Sequence, residues 1–213
     1  MAKTKTYIIG IDEVGRGPLA GPVTVAAVLL TADLKTYKLK NLKTPLRDSK
    51  KLNPKQRESW FVFIKQQKIP YATANVFPKT IDKINISKAA NLAATKALYK
   101  LIINNKQLKT DNLKILLDGG LRVNPNSKTK KFKNIKTIIR GDEKIPAIAL
   151  ASIVAKVRRD KYMGEIHKKF PQYDFKKHKG YGTKIHYKLL KKNGSSKIHR
   201  KSFLSSLTKK GPL

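Results

Sequence analysis

The 213-residue sequence predicts an α/β fold: a mixed β-sheet flanked by helices, with a helical C-terminal extension. Three observations predict it. Short apolar, β-branched runs alternate with longer segments of helical period. Two of those runs stand next to each other, joined only by a turn rich in glycine and proline, which a parallel crossover does not allow. Hydrophobic residues make up 40% of the chain, enough to build a core. No linker and no fixed-period repeat divides it. One domain over 1–213 is expected, with an α/β part over about 7–170 and a basic helical part over about 171–213.

Residues 7–12, "YIIGID", and 22–30, "PVTVAAVLL", are the first two strands, joined by "EVGRGPLAG". A basic, polar connection follows. Asn53 before Pro54 marks a helix start, with an N-cap and proline at the first helical position, and the helix runs through "PKQRESWFVFIKQQK". "PYATANVF" is a short strand. "DKINISKAANLAATKALYKLIINN" repeats apolar residues at helical spacing, among them Ile86, Ala90, Ala93, Ala97, Leu98 and Leu101. "LKILLD" is a strand ending at Asp118. A lysine-rich stretch over 122–136 leads to "TIIRGD", another apolar run ending in an acid. Pro146 opens the small-residue helix "PAIALASIVAKVRRDKYMGEIHKKF". Beyond it the chain turns basic and aromatic.

Lys plus Arg number 48 against 13 Asp plus Glu, a net charge of +35. That charge belongs on the surface and attracts polyanions, nucleic acids first among them. A ribosomal or packaging protein, or a solvated lysine coat, has the same composition. The chain has no cysteine, which excludes disulfides, thiolate metal sites and a cysteine nucleophile. "MAKTKTYIIG" lacks a signal-peptide core, and "VTVAAVLL" is too short to span a bilayer. A soluble, cytoplasmic monomer with no membrane partner is expected. The four histidines show no H-E-x-x-H spacing, and no P-loop is present.

Asp12, with Glu13 beside it, Asp118 and Asp142 each end an apolar run. Sites in α/β sheets form where such ends converge. Gathered carboxylates repel one another and resist ionisation, and a divalent cation removes that penalty. Oxygen ligands without cysteine favour Mg²⁺ or Mn²⁺ over zinc. The alternatives are ordinary: a turn residue at Asp118, a helix-start acid at Asp142. Adjacent Asp12 and Glu13 point to opposite faces of a regular strand, so both serve one site only if the chain bends there. "GRG", Gly15–Arg16–Gly17, is a tight turn whose free amides can approach a sugar or phosphate. Tyr181, in "HKGYGT", is either a stacking platform for a nucleotide or a packed ring. "DSKKL" either positions a phosphate or is a polar loop.

"GIDEVGRGPLAGPV", "DSKKL", "IDKINISKAA", "LLDGG", "RGDEKIPAIALASIVAKVRRD", "HKGYGTKIH" and "IHRKSF" resemble, in order, the signatures of the ribonuclease HII (type 2 ribonuclease H) family, from about residue 7 to 204. The resemblance implies an RNase H-like fold and an endonuclease that cleaves the RNA strand of RNA–DNA hybrids. It further implies nicking of duplex DNA 5′ of a lone ribonucleotide, leaving 3′-hydroxyl and 5′-phosphate ends, and a role in removing ribonucleotides from DNA. By the same resemblance Asp12, Glu13, Asp118 and Asp142 are the catalytic acids that hold two Mg²⁺ or Mn²⁺ ions. Gly15, Arg16 and Gly17 read the 2′-hydroxyl at the RNA-to-DNA junction, and Tyr181 packs against the sugar on its DNA side. Ser49, Lys50, Lys51 and Lys179 complete the expected substrate contacts. Departures from the family pattern are Arg47 for asparagine, Arg140 for lysine, Leu150 for alanine and Ile185 for glutamate. Ribonuclease HIII, a relative with an additional N-terminal substrate-binding domain, is the enzyme rival; only nine residues precede Gly10. A non-catalytic nucleic-acid binder is the rival of another class, and it has no need of the four acids.

Overall fold

The computed structural model describes residues 6–31, 44–106, 108, 112–123, 132 and 134–208. Most of the lysine-rich stretch over 122–136, and residues 209–213, lie outside the described residues. The strands are β1 (Tyr7–Val14), β2 (Val23–Thr31), β3 (Tyr71–Val76), β4 (Leu113–Asp118) and β5 (Ile135–Ile138). They form one sheet in the order β3-β2-β1-β4-β5. β1 pairs antiparallel with β2, and β2 with β3. β4 runs parallel to β1, and β5 parallel to β4. The expected mixed sheet is therefore present, and its parallel half ends on one side.

Helices cover both faces. α1 (Pro54–Gln66) begins as the Asn53–Pro54 pair predicts. Asn53 Oδ1 accepts the Gln56 N–H, and Gln56 Oε1 accepts the Asn53 N–H, both at 2.9 Å, closing a reciprocal cap. The segment read as one helix from residue 82 to 105 is two: α2 (Pro78–Ile84) and α3 (Ile86–Ile103). Asn85, at φ +66°, breaks the run and caps α3 by accepting the Lys88 N–H at 3.0 Å. The apolar stripe changes face here, since Ile84 and Ile86 are two residues apart and cannot share one side of a helix. α3 buries Ala89, Ala90, Ala93, Ala94, Ala97, Leu98 and Leu101 against Ile9, Ile11 and Ile115 of the sheet.

The opposite face of the sheet meets α1 and the long α5 (Pro146–Lys169), preceded by the single-turn α4 (Gly141–Lys144). α5 crosses directly over β1 at Gly10. A Cβ there would lie 2.1 Å from the Ala147 carbonyl carbon and 2.3 Å from the Ile148 nitrogen, so only glycine allows this approach. Leu150, where the family pattern has alanine, is fully buried in this layer with Ile153 and Val154. The C-terminal part is helical as expected: α6 (Phe175–His178), α7 (Lys184–Asn193) and α8 (Lys201–Thr208). It packs through Tyr173, Phe175, Leu190 and Leu204 onto Leu19, Ala20 and Met163. Asp82 of α2 ties down the start of α8, accepting the N–H groups of Lys201 and Ser202 at 3.0 Å each. Among the described residues no helix is long and apolar enough to cross a membrane.

Candidate active site at the ends of the parallel strands

The pairing of β1 with β4 runs up to Ile11 opposite Leu117. The next residue on each strand is an acid, Asp12 and Asp118. Neighbouring parallel strands therefore present carboxylates side by side at their C-terminal ends, where the topology opens a cleft. One carboxylate oxygen from each of Asp12, Glu13 and Asp118 lies within 4.8 Å of the others. The bend expected between Asp12 and Glu13 is absent, because β1 stays paired with β2 through Val14. Asp12 instead turns its carboxylate along its own strand, accepting the Glu13 N–H at 2.7 Å.

Asp142 is not at a strand end. β5 stops at Ile138, and Asp142 is the second residue of α4. It lies outside the tight group of three but in the same cleft, whose lining includes Asp48, Lys50, Asp118, Arg140 and Asp142. Asp118 Oδ1 accepts the Gly141 N–H at 2.7 Å and so fixes α4 against β4.

The electrostatics are those of a cluster short of positive charge. Burial first, then the charges of Glu13 and Asp118, push the Asp12 carboxyl well above its ordinary range, against a hydrogen bond from Ser152. Burial also raises Glu13, although Arg16 beside it works the other way. Asp142 is raised to about 6 by burial, Asp48 and Asp118. Burial disfavours the charged Lys50 ammonium, but Asp48, Asp12, Asp142 and Asp118 outweigh that and raise it. Glu13 Oε2 is buried with no hydrogen-bond partner among the described residues. A buried carboxylate oxygen without a hydrogen-bond donor beside two other acids suits a divalent cation, and oxygen-only donors suit a hard ion. The donor set fits such a metal.

Asp48 went unrecognised in the sequence. It is 7% exposed, accepts the Lys50 N–H at 2.9 Å, and lies near enough to Asp142 that its charge raises that carboxyl. Its sequence signal was that of a turn cap, which it also is. Ser49 departs from the expected substrate contact. It is buried, and its hydroxyl meets that of Ser152 at 2.7 Å; Ser152 in turn works to lower the Asp12 carboxyl against its burial. Its hydroxyl therefore faces the acids from behind. Lys51 pairs with Glu143 at 2.5 Å. Lys179 donates to the Lys176 carbonyl at 2.7 Å. Arg47 is exposed.

The Gly15–Gly17 turn follows the acids directly. Arg16 folds over the cleft, its guanidinium 3.3 Å from Glu13 Oε1 and 3.2 Å from Ser87 Oγ. The turn around Tyr181 is stitched to the same loop, with Leu19 and Ala20 N–H donating to the Gly180 carbonyl at 2.8 and 3.3 Å. Tyr181 is 39% exposed, with Arg159 5.7 Å and Lys156 6.0 Å from its ring centre. Tyr181, distant in sequence, is thus tied to the loop that carries the Gly-Arg-Gly turn beside Asp12 and Glu13.

The Ribonuclease HII family model matches residues 9–206. Ribonuclease HII of Caldicellulosiruptor bescii is 46% identical over 201 residues, covering 94% of this chain and 88% of that protein. The chain belongs to the ribonuclease HII family. The crystal structure of ribonuclease H2 from Pyrococcus horikoshii superposes with a TM-score of 0.69 at 23% identity, covering 96% of this chain and 98% of that one. Bst-RNase HIII in complex with Mn²⁺ superposes at 0.66 and 17% identity, covering 96% of this chain and 71% of that one. Both show the RNase H-like fold. The chain is accordingly a ribonuclease H, and the non-catalytic binder is set aside. Family membership brings action on RNA–DNA hybrids and dependence on a divalent metal, in keeping with the three-acid group.

Proposed function

We propose that this ribonuclease H nicks duplex DNA on the 5′ side of a single embedded ribonucleotide as well as cutting the RNA strand of hybrids, that it leaves 3′-hydroxyl and 5′-phosphate ends, and that it serves to remove ribonucleotides from DNA. The observation that carries the chemistry is the bare, buried Glu13 Oε2 beside Asp12 and Asp118. Asp12, Glu13, Asp118 and Asp142 hold two Mg²⁺ or Mn²⁺ ions in this proposal, and the Mn²⁺ bound by the HIII neighbour supports the choice. Such a pair of ions, when bound, makes water acidic enough to ionise near neutral pH and offsets charge on the departing oxygen. The rest falls to the chain itself. Gly15, Arg16 and Gly17 meet the 2′-hydroxyl, the one group that marks a ribonucleotide among deoxynucleotides. Tyr181 lies against the neighbouring deoxyribose. Lys50, Lys51 and Lys179 contact phosphates without reading sequence, with Lys51 exchanging its pairing to Glu143 for phosphate. Ser49 orients Asp12 through Ser152. The whole chain works as one catalytic domain.

The test is a DNA duplex carrying one ribonucleotide, incubated with Mn²⁺, with chelator, and with Asp118→Asn protein in Mn²⁺. A single nick 5′ of the ribonucleotide is expected in the first case and none in the other two. Cutting of long hybrids with no nick at the lone ribonucleotide would restrict the activity to hybrids. Equal cutting in chelator would remove the metal from the account.

A further inference from the structure

Two arginines, Arg159 and Arg200, are fully buried, both 0% exposed. Neither forms an ion pair with a carboxylate among the described residues. A buried charge without a counterion is costly, and a fold keeps it only where strong hydrogen bonds satisfy it. Here the acceptors are backbone carbonyls, most of them from one loop. Arg200 donates to Gly15 O at 2.6 Å, Arg16 O at 2.8 Å and Gly21 O at 3.0 Å. Arg159 donates to Pro22 O at 3.0 Å, Ala20 O at 3.2 Å and Lys179 O at 3.0 Å. Their guanidinium groups lie close enough that Arg159, after burial itself, helps lower the pKa of Arg200 to about 9.

The consequence follows from peptide geometry. No peptide bond is cis, so each N–H points opposite to the carbonyl of its own peptide plane. The carbonyls of Gly15 and Arg16 are turned inward to Arg200. The N–H groups of Arg16 and Gly17, which share those two planes, are therefore turned away from it. Neither has an acceptor among the described residues. A cation on the carbonyl side also polarises the peptide and strengthens the donor on its far side. Gly15 makes room for the arrangement: at φ +90°, a Cβ on it would sit 2.3 Å from Arg159 Nε. Arg159 reaches the second half of the site as well, through the Lys179 carbonyl and from beneath the Tyr181 ring.

We propose that Arg159 and Arg200 are positioning residues for ribonucleotide discrimination, a pair of guanidinium forks that hold the carbonyls of loop 15–22 inward and so present the Arg16 and Gly17 amides, with Tyr181 in register, to the 2′-hydroxyl. This rests on the reading of Gly15–Gly17 as the element that meets that hydroxyl.

The experiment compares kcat/KM on two DNA duplexes that differ at one nucleotide, one carrying a 2′-hydroxyl and the other a 2′-fluoro group. Wild-type protein, Arg200→Lys and Arg159→Lys are assayed in Mn²⁺, with Mn²⁺ affinity measured on each. Lysine keeps the charge and loses the fork. The ribo-to-fluoro ratio is expected to fall about tenfold or more in Arg200→Lys, the worth of one charged hydrogen bond, and also to fall in Arg159→Lys, with Mn²⁺ affinity unchanged. A fall in activity equal on both duplexes would make the arginines mere scaffolding and overturn the proposal. So would a ratio unchanged in both variants while the wild type discriminates. A wild type that cuts both duplexes alike would refute the loop reading itself, and one that cuts neither would refute the nicking function; either removes the inference with it. In wild-type protein the guanidinium protons of both arginines should exchange slowly with solvent by NMR. Rapid exchange would overturn the clamp even if neither variant folds.

Discussion

Replacing Asp12 with asparagine should make the metal-free protein more stable and the metal-loaded protein less so. The ligand oxygens of Asp12, Glu13 and Asp118 lie within 4.8 Å of one another. At that distance two unit charges repel by about 3 kcal/mol at an effective dielectric constant of about 20. Protonation limits what the fold must bear, at about 1.4 kcal/mol for each unit of pKa elevation. Asp12→Asn removes the buried member whose carboxyl is raised well above its ordinary range, and its amide oxygen can still accept the Glu13 N–H. A gain of about 1–3 kcal/mol in chelator at pH 7.5 is expected, a rise in Tm of very roughly 2–10 °C for a chain of this size. Mn²⁺ should reverse the order: at a hundred times its Kd it stabilises the wild type by about 2.7 kcal/mol, and the variant by much less. The sign with pH follows. Carboxyls raised in the folded state contribute stability at low pH that is lost as pH rises through their folded values, for Asp142 through about 6. The assay is thermal unfolding by circular dichroism in chelator and in Mn²⁺. A variant less stable than wild type in chelator, or a wild type indifferent to Mn²⁺, would refute the reasoning.

Three further outcomes are expected. Gly10→Ala drives a Cβ into the α5 backbone at Ala147 and should cost about 3 kcal/mol or more, seen as a lost or sharply lowered thermal transition. Ser152→Ala leaves the buried Ser49 hydroxyl without its 2.7 Å partner and takes a hydrogen bond from Asp12; stability should fall by about 1–3 kcal/mol and Mn²⁺ titration should show weaker binding. His186 and His199, whose Nε2 atoms lie 3.1 Å apart beneath the Tyr181 turn, are lowered to about 4 chiefly by burial. Their neutral forms thus contribute stability above about 6.5 that is lost as pH falls through 4, and ring NMR should show both titrating near 4 instead of 6.5.

Most of the fold was legible because hydrophobic period reports secondary structure directly. β4 falls on the run "LKILLD", and α1 begins at the Asn-Pro pair that announces it. The break at Asn85 went unread, although Ile84 and Ile86 on either side of it cannot share one helix face; the positive φ and the cap that Asn85 makes appear only in the structure. For the site, acids ending apolar runs pointed to Asp12, Glu13 and Asp118, and the parallel pairing of β1 with β4 supplied the reason they meet. Asp142 lies in the same cleft, but as the second residue of a one-turn helix and not at a strand end. Asp48 and Ser152 were hidden because a capping aspartate and a small helical serine look the same whether or not a site lies beside them. Arg159 and Arg200 were hidden differently. In a chain with 48 Lys plus Arg, nothing local separates a buried guanidinium from a solvated one, and only the fold reveals that these two face carbonyls of loop 15–22 and of Lys179.

Anomalous X-ray scattering from crystals soaked in Mn²⁺ tests the central claim most directly. The account predicts a manganese peak within about 2.3 Å of carboxylate oxygens from Asp12, Glu13 and Asp118, with Glu13 Oε2 among the ligands. Manganese bound elsewhere, with those three carboxylates left uncoordinated at saturating metal, would contradict it.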